Sequence, residues 1–153
     1  MKVFVYLIVS MVFIYSCGDE KTELLNEIKS AENTLFETSQ QLEFGEKISP
    51  KLDQDLVSTL LTFYDRFPKD KHAPECLDKL HMKCSGSGGF EQAAIYGEIL
   101  LTDYKGYANR AMILESLANI YDMNVFPRDT SKVRLYSEML LQENPDLPLE
   151  KIE

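Results

Sequence analysis

Hydrophobic and polar positions fall into two regimes along this 153-residue chain. Residues 3–15 form an uncharged run broken only by Ser10 as a small polar residue. From residue 22 onward, apolar positions recur every three or four residues, the period of a helix with one buried face. Leu24, Leu25, Ile28, Leu35 and Leu42 mark a first amphipathic helix over 22–44, with a break near Glu37 to Ser39 as the alternative. A turn follows over 45–49. Ser49 then stands as N-cap, and Pro50 takes the first helical position, where a missing N–H is harmless. Leu52, Leu56, Leu60, Phe63 and Tyr64 share one face of the second helix, and Pro68 stops it.

A third helix begins near Pro74 and turns Leu77, Leu80 and Cys84 inward, ending in Ser85-Gly86-Ser87-Gly88-Gly89. The fourth spans 90–104 and the fifth about 107–122. After a loop through Phe126 and Pro127, Thr130 or Asp129 caps a sixth helix reaching Glu143, and Pro145 and Pro148 punctuate the tail. Sustained period-two alternation is missing from the sequence, so the expected class is all-α.

The opening run has a different meaning from the helices. Lys2 supplies a positive start, and residues 3–15 as a helix would extend about 20 Å, short of the roughly 30 Å hydrocarbon core of a bilayer. A charged start, a short apolar stretch and a small residue make the layout of a secretory signal. Ile14-Tyr15-Ser16-Cys17 resembles the lipobox of bacterial lipoproteins, although Tyr15 is bulkier than that family usually has there. The resemblance implies cleavage between Ser16 and Cys17, diacylglycerol in thioether linkage on Cys17, and acylation of the new amino terminus. More than one acyl chain is expected because each buried methylene contributes only ~0.8 kcal/mol. Gly18-Asp19-Glu20-Lys21-Thr22-Glu23 reads as a polar, extended tether. It is similar to the acidic segment that follows the lipidated cysteine in surface-exposed lipoproteins of the Bacteroidetes. The expected division is therefore a signal peptide over 1–16, a lipidated tether over 17–23, a helical repeat domain over 24–147 and a tail over 148–153. The expected location is the outer membrane of a bacterial envelope, on its periplasmic face or at the cell surface.

Charge narrows the partners. The first sixteen residues hold one of the 16 basic and none of the 25 acidic residues, so the remaining 137 carry about −10. Nucleic-acid binding rests on neutralised phosphates and is disfavoured. Adsorption to an anionic membrane surface is disfavoured too, leaving the lipid as the membrane contact. With Cys17 assigned to lipid, Cys76 and Cys84 remain. Eight residues along one helix separate their Cα atoms by about 12 Å, beyond the ~7 Å a disulfide spans, so both are expected as buried free thiols.

Three segments share one internal spacing: Leu56, Leu60, Phe63-Tyr64, Pro68; Ala93, Gly97, Leu100-Leu101, Lys105; and Val133, Ser137, Leu140-Leu141, Pro145. Leu77, Leu80, His81 and Cys84 likewise match Leu114, Leu117, Ala118 and Tyr121, with a connection three residues longer in the later unit. This pattern resembles the tetratricopeptide repeat over roughly residues 52–147. It departs from the repeat where His81 replaces a small residue, where Gly97 and Ser137 replace an aromatic, and where Lys105 replaces proline. Tyr96 and Tyr136, one position earlier, could supply the missing bulk. The resemblance implies helical hairpins stacked as a short right-handed α-solenoid, because each pair is apolar on two sides and buries both only against neighbours. As a whole the chain is similar to tetratricopeptide-repeat lipoproteins of the Bacteroidetes, and more distantly to the lipoprotein subunit of the outer-membrane β-barrel assembly machine.

Candidate chemistry is sparse. His72, Cys76, His81 and Cys84 have metal-ligand types, but five residues of helix turn Cys76 and His81 about 140° apart, so core cysteines and partly exposed histidines are expected. The glycines after Ser85 lack the strand and the Lys-Ser/Thr of a phosphate loop. Neither a catalytic constellation nor a cofactor is expected beyond the covalent lipid on Cys17. In the repeat family the first helix of each unit lines a concave face. The resemblance therefore places Glu75, Asp78, Met82, Met112, Glu115, Asn119 and Asp122 on a binding face, and methionines mixed with acids suit a basic or amphipathic peptide. The expected function is a lipid-anchored adaptor holding a protein or peptide. The alternative is a solute- or glycan-binding lipoprotein serving an outer-membrane transporter, which the lack of tryptophan disfavours.

Overall fold

The computed structural model describes residues 2–43 and 48–146, the side chains of 2–18 excepted. The lipobox side chains Ser16 and Cys17, residues 44–47 of the segment holding the expected turn, and residues 147–153, which include the expected tail, lie outside the described residues. Among those described the fold is all-α: α1 Lys2–Gln41, α2 Pro50–Arg66, α3 Ala73–Gly86, α4 Phe90–Asp103, α5 Arg110–Asn119 and α6 Thr130–Glu143, packed as sequential pairs. No helix among the described residues is long and apolar enough to cross a membrane. The chain divides into two compact units, Met1–Asp70 and Lys71–Glu153.

In the first unit α1 packs on α2, with Ile28 and Leu35 buried on α1 and Leu56, Leu60 and Phe63 buried on α2. The Phe63 and Phe67 rings lie 5.5 Å apart. One sequence expectation fails here, and one open alternative is decided. Residues 19–23 are helical rather than an extended tether. Lys21 reaches Asp70 at 3.0 Å and Glu20 pairs with Arg66, so the acidic stretch is drawn along the end of α2 instead of repelling itself outward. Nor does α1 break near Glu37 to Ser39. The hydroxyls of Thr38 and Ser39 donate to the carbonyls of Thr34 and Phe36, following the helix instead of competing with it. Ser49 does occupy the N-cap of α2, but Leu52 N–H bonds to its backbone carbonyl and its side chain makes no cap.

In the second unit α3 packs on α4, α4 on α5, and α5 on α6. Leu77, Leu80, Ala93, Leu100, Ile113, Leu114 and Leu117 are all buried to within 1% and form its core. Each such leucine or isoleucine contributes roughly 1.5–3 kcal/mol on burial. Arg110 ties three helices: its Nε donates to both Glu143 oxygens, at 3.0 and 2.7 Å, and its Nη1 donates to the Leu101 carbonyl at 2.8 Å. Asp129, not Thr130, caps α6 by accepting from Lys132 N–H.

The repeat read from side chains recurs in backbone geometry. Phe67, Tyr104 and Asn144 end α2, α4 and α6 with the same bond, donating to Phe63, Leu100 and Leu140, and with φ of −129°, −123° and −136°. These positions are 37 and 40 residues apart, as the three aligned segments are. Cys76 N–H to His72 O and Ile113 N–H to Asn109 O start α3 and α5 in the same way. The three extra residues of the later unit are absorbed beyond α5. There the fifth helix, expected to continue to 122, changes into a π-helical turn at Ile120–Asn124 before a loop to Asp129.

Candidate functional site

Two depressions lie side by side on the second unit. The first, about 420 Å³, is lined by Asp78, His81, Met82, Ser85, Gly86, Met112, Ile113 and Ser116. The second, about 320 Å³, shares Ser85, Met112 and Ser116 and continues past Phe90, Glu115 and Asn119 to Ile120 and Asn124. Together they form a groove between α3 and α5. Met82 of α3 and Met112 of α5 both stand on the groove with about half or more of their surface exposed.

Five of the seven residues expected on a binding face line this groove: Asp78, Met82, Met112, Glu115 and Asn119. Glu75 and Asp122 line neither depression. Glu75 is exposed and pairs with Lys79 one turn on, and Asp122 sits in the π-helical turn paired with Arg128. The unwinding at Ile120 displaces Asp122 from the face a continuous α-helix would have given it.

Asp78 corrects a second expectation. It is not an exposed groove acid but is 7% exposed. Its Oδ2 accepts from the Tyr107 hydroxyl at 2.7 Å and from Asn109 Nδ2 at 3.0 Å, both from the connection before α5. Burial, then the Asp78 carboxylate, drives the Tyr107 phenol well above its ordinary range, so it stays a donor. Asp78 Oδ1, by contrast, has no hydrogen-bond partner among the described residues, and neither does the shielded Ser85 Oγ.

His81 departs furthest from its sequence expectation. It was expected partly exposed and is 2% exposed, at the floor of the groove. Its Nδ1 lies 2.8 Å from the Ala93 carbonyl and its Nε2 lies 2.8 Å from Ser116 Oγ. A carbonyl only accepts, so Nδ1 carries the proton, and in the neutral ring Nε2 accepts from the Ser116 hydroxyl. The sequence signals are two separate departures from the repeat, a large residue at 81 and glycine at 97, which the structure brings together. A methyl on Gly97 would meet His81 Nδ1 at 3.1 Å.

The Ser116–His81 distance alone would suit a nucleophile and its base. However, Ser116 lies well inside α5, where helical hydrogen bonds commit the backbone N–H groups that could hold an oxyanion. The arrangement orients a hydroxyl at the groove rather than activating it. Among the described residues no group of three or more His, Cys, Asp or Glu side chains is placed to hold a metal ion. Cys76 is buried, while Cys84 is only half-buried, with burial raising its pKa. Comparisons with family models, with curated proteins and with solved structures gave no match.

Proposed function

We propose that this chain is a lipid-anchored adaptor of the bacterial envelope, its helical pairs a degenerate, tetratricopeptide-like right-handed solenoid that holds a protein or peptide in the α3/α5 groove. The observation that carries the reading is the groove itself. It is walled by two exposed methionines and lies between the first helices of the α3/α4 and α5/α6 pairs. Unbranched, polarizable methionine side chains adapt to varied apolar surfaces, as binding surfaces require. The membrane half of the proposal rests on Lys2, the apolar run and Ile14-Tyr15-Ser16-Cys17.

Both halves are open to one set of experiments in a bacterial host. Labelled lipid precursor is expected to enter the chain and to be lost in Cys17→Ala. Gentle crosslinking of intact cells, with an epitope at the carboxyl end, is expected to recover a defined partner. Label retained in Cys17→Ala would remove the anchor, and recovery of no partner would remove the adaptor.

A further inference from the structure

Which chemical group the groove is built to receive follows from its floor. The Ser116 hydroxyl donates its hydrogen bond to His81 Nε2, because Nδ1–H is held by the Ala93 carbonyl; for a further group Ser116 Oγ therefore offers only lone pairs. Asp78 brings a carboxylate whose Oδ2 is satisfied by Tyr107 and Asn109 while Oδ1 is unmatched. Ser85 Oγ is unmatched as well and can accept. The floor is thus rich in acceptors and carries a negative charge, and a carboxylate oxygen shielded from water without a donor is unfavourable. The walls, Met82, Met112 and Ile113, are apolar.

We infer that the groove takes the side chain of a lysine presented by the partner, its ammonium directed to Asp78 with Ser85 and Ser116 as supporting acceptors and its methylenes between the methionines. An ammonium has three donors and no acceptor, matching a floor of three acceptor groups, and its straight stem matches unbranched walls. A partner chain, rather than a free amine, is chosen because the depression does not end at the charged floor. It continues along α5 past Glu115 and Asn119, giving the rest of a peptide somewhere to lie. This inference rests on the adaptor reading and names what that adaptor recognises.

The test uses the full-length chain in detergent with its methionine methyl groups 13C-labelled. The probe is Nα-acetyl-lysine N-methylamide, compared with the norleucine analogue, which keeps the stem and lacks the ammonium, at matched ionic strength. The lysine probe is expected to move the Met82 and Met112 methyl signals saturably and to leave those of Met123 and Met139 in place. The norleucine analogue should need at least about tenfold higher concentration. Asp78→Asn, which keeps the size of the side chain, should weaken the lysine probe about tenfold or more, and Ser85→Ala about threefold. Ser85→Ala removes a hydroxyl the fold leaves unmatched, so it reads the floor even should Asp78→Asn fail to fold.

Equal response to both probes, or unchanged affinity in Ser85→Ala and in a folded Asp78→Asn, would overturn the inference. Tighter binding of a free alkyl diamine than of the capped lysine would overturn the commitment to a peptide. The adaptor reading fails separately. Capture of a partner that persists in Asp78→Asn cells sinks the lysine site and keeps the adaptor, whereas probe binding without any captured partner does the reverse.

Discussion

At Gly97 and His81 two departures from the repeat pattern explain each other. A large side chain stands at 81 where a small one is usual, and the helix facing it has no side chain at all at 97. A methyl at 97 would lie 3.1 Å from both His81 Nδ1 and Leu117 Cδ2. His81 cannot retreat without losing its bonds to Ala93 and Ser116. Gly97→Ala gains helix propensity of about 1 kcal/mol, but overpacking a filled core costs typically 1–3 kcal/mol. The expected outcome is a net loss on the order of 1 kcal/mol in chemical denaturation. A more stable variant would mean that His81 is not locked. Each oddity was legible separately in the sequence, but their pairing was not, because it depends on which faces of α3 and α4 meet. The burial of Asp78 is hidden in the sequence for a related reason. The register of α3 left it outside the apolar stripe, and the residues that bury it, Tyr107 and Asn109, lie some thirty positions away.

The helices themselves were largely written in the periodicity. Five of the six begin and end within about three residues of expectation, because Pro50, Pro68, Pro74, the glycines after Ser85 and the Asp129 cap act locally. What the sequence hid is what happens between elements. The π-helical turn after α5 depends on a polar cluster drawn from three of them. Glu98 Oε1 of α4 accepts from the Tyr121 hydroxyl at 2.7 Å, the Tyr136 hydroxyl at 2.8 Å and Lys132 Nζ at 2.6 Å. Lys132 also lies over the Tyr121 ring, which stacks on Tyr136. Tyr136, expected to replace a missing aromatic by bulk, also contributes its hydroxyl.

Burial alone would raise the Glu98 pKa, yet the bonds from Lys132, Tyr121 and Tyr136 outweigh it and hold the carboxyl below its ordinary 4.5. A depressed folded pKa stabilises fully above the unfolded value and loses its effect as pH falls through the folded one. Glu98→Gln should therefore be less stable near neutral pH, by about 1 kcal/mol or less at this partly exposed site. The gap to the parent should narrow once pH drops below about 4.5. Denaturation midpoints measured from pH 7 to pH 3 give the comparison, and a gap that widens in acid would refute the role given to Glu98.

For the molecule as a whole, the anchor and the groove divide the account. The proposed anchor rests on the amino end, and the proposed partner surface on the groove between α3 and α5. The net charge is −9 and Asp78 lies at the groove floor, so the basic partner proposed above would meet a favourable field and its encounter would be sensitive to salt. The class all-α and the pairing of helices could be read from the chain alone. The groove could be read only in part, since five of its residues followed from the repeat, while His81, Ser85 and Ser116 did not.

The central claim is that the α3/α5 groove is where the protein holds its partner. The most direct measurement places a photo-crosslinking residue at position 82 or 112, on the groove walls, and at position 95 as a reference. Ile95 is 48% exposed, close to the 50% of Met112, but lies on α4 and lines neither depression. The account predicts a discrete adduct with the same partner protein from positions 82 and 112 in intact cells, and none from 95. Adducts of equal yield from all three positions, or from 95 alone, would contradict it.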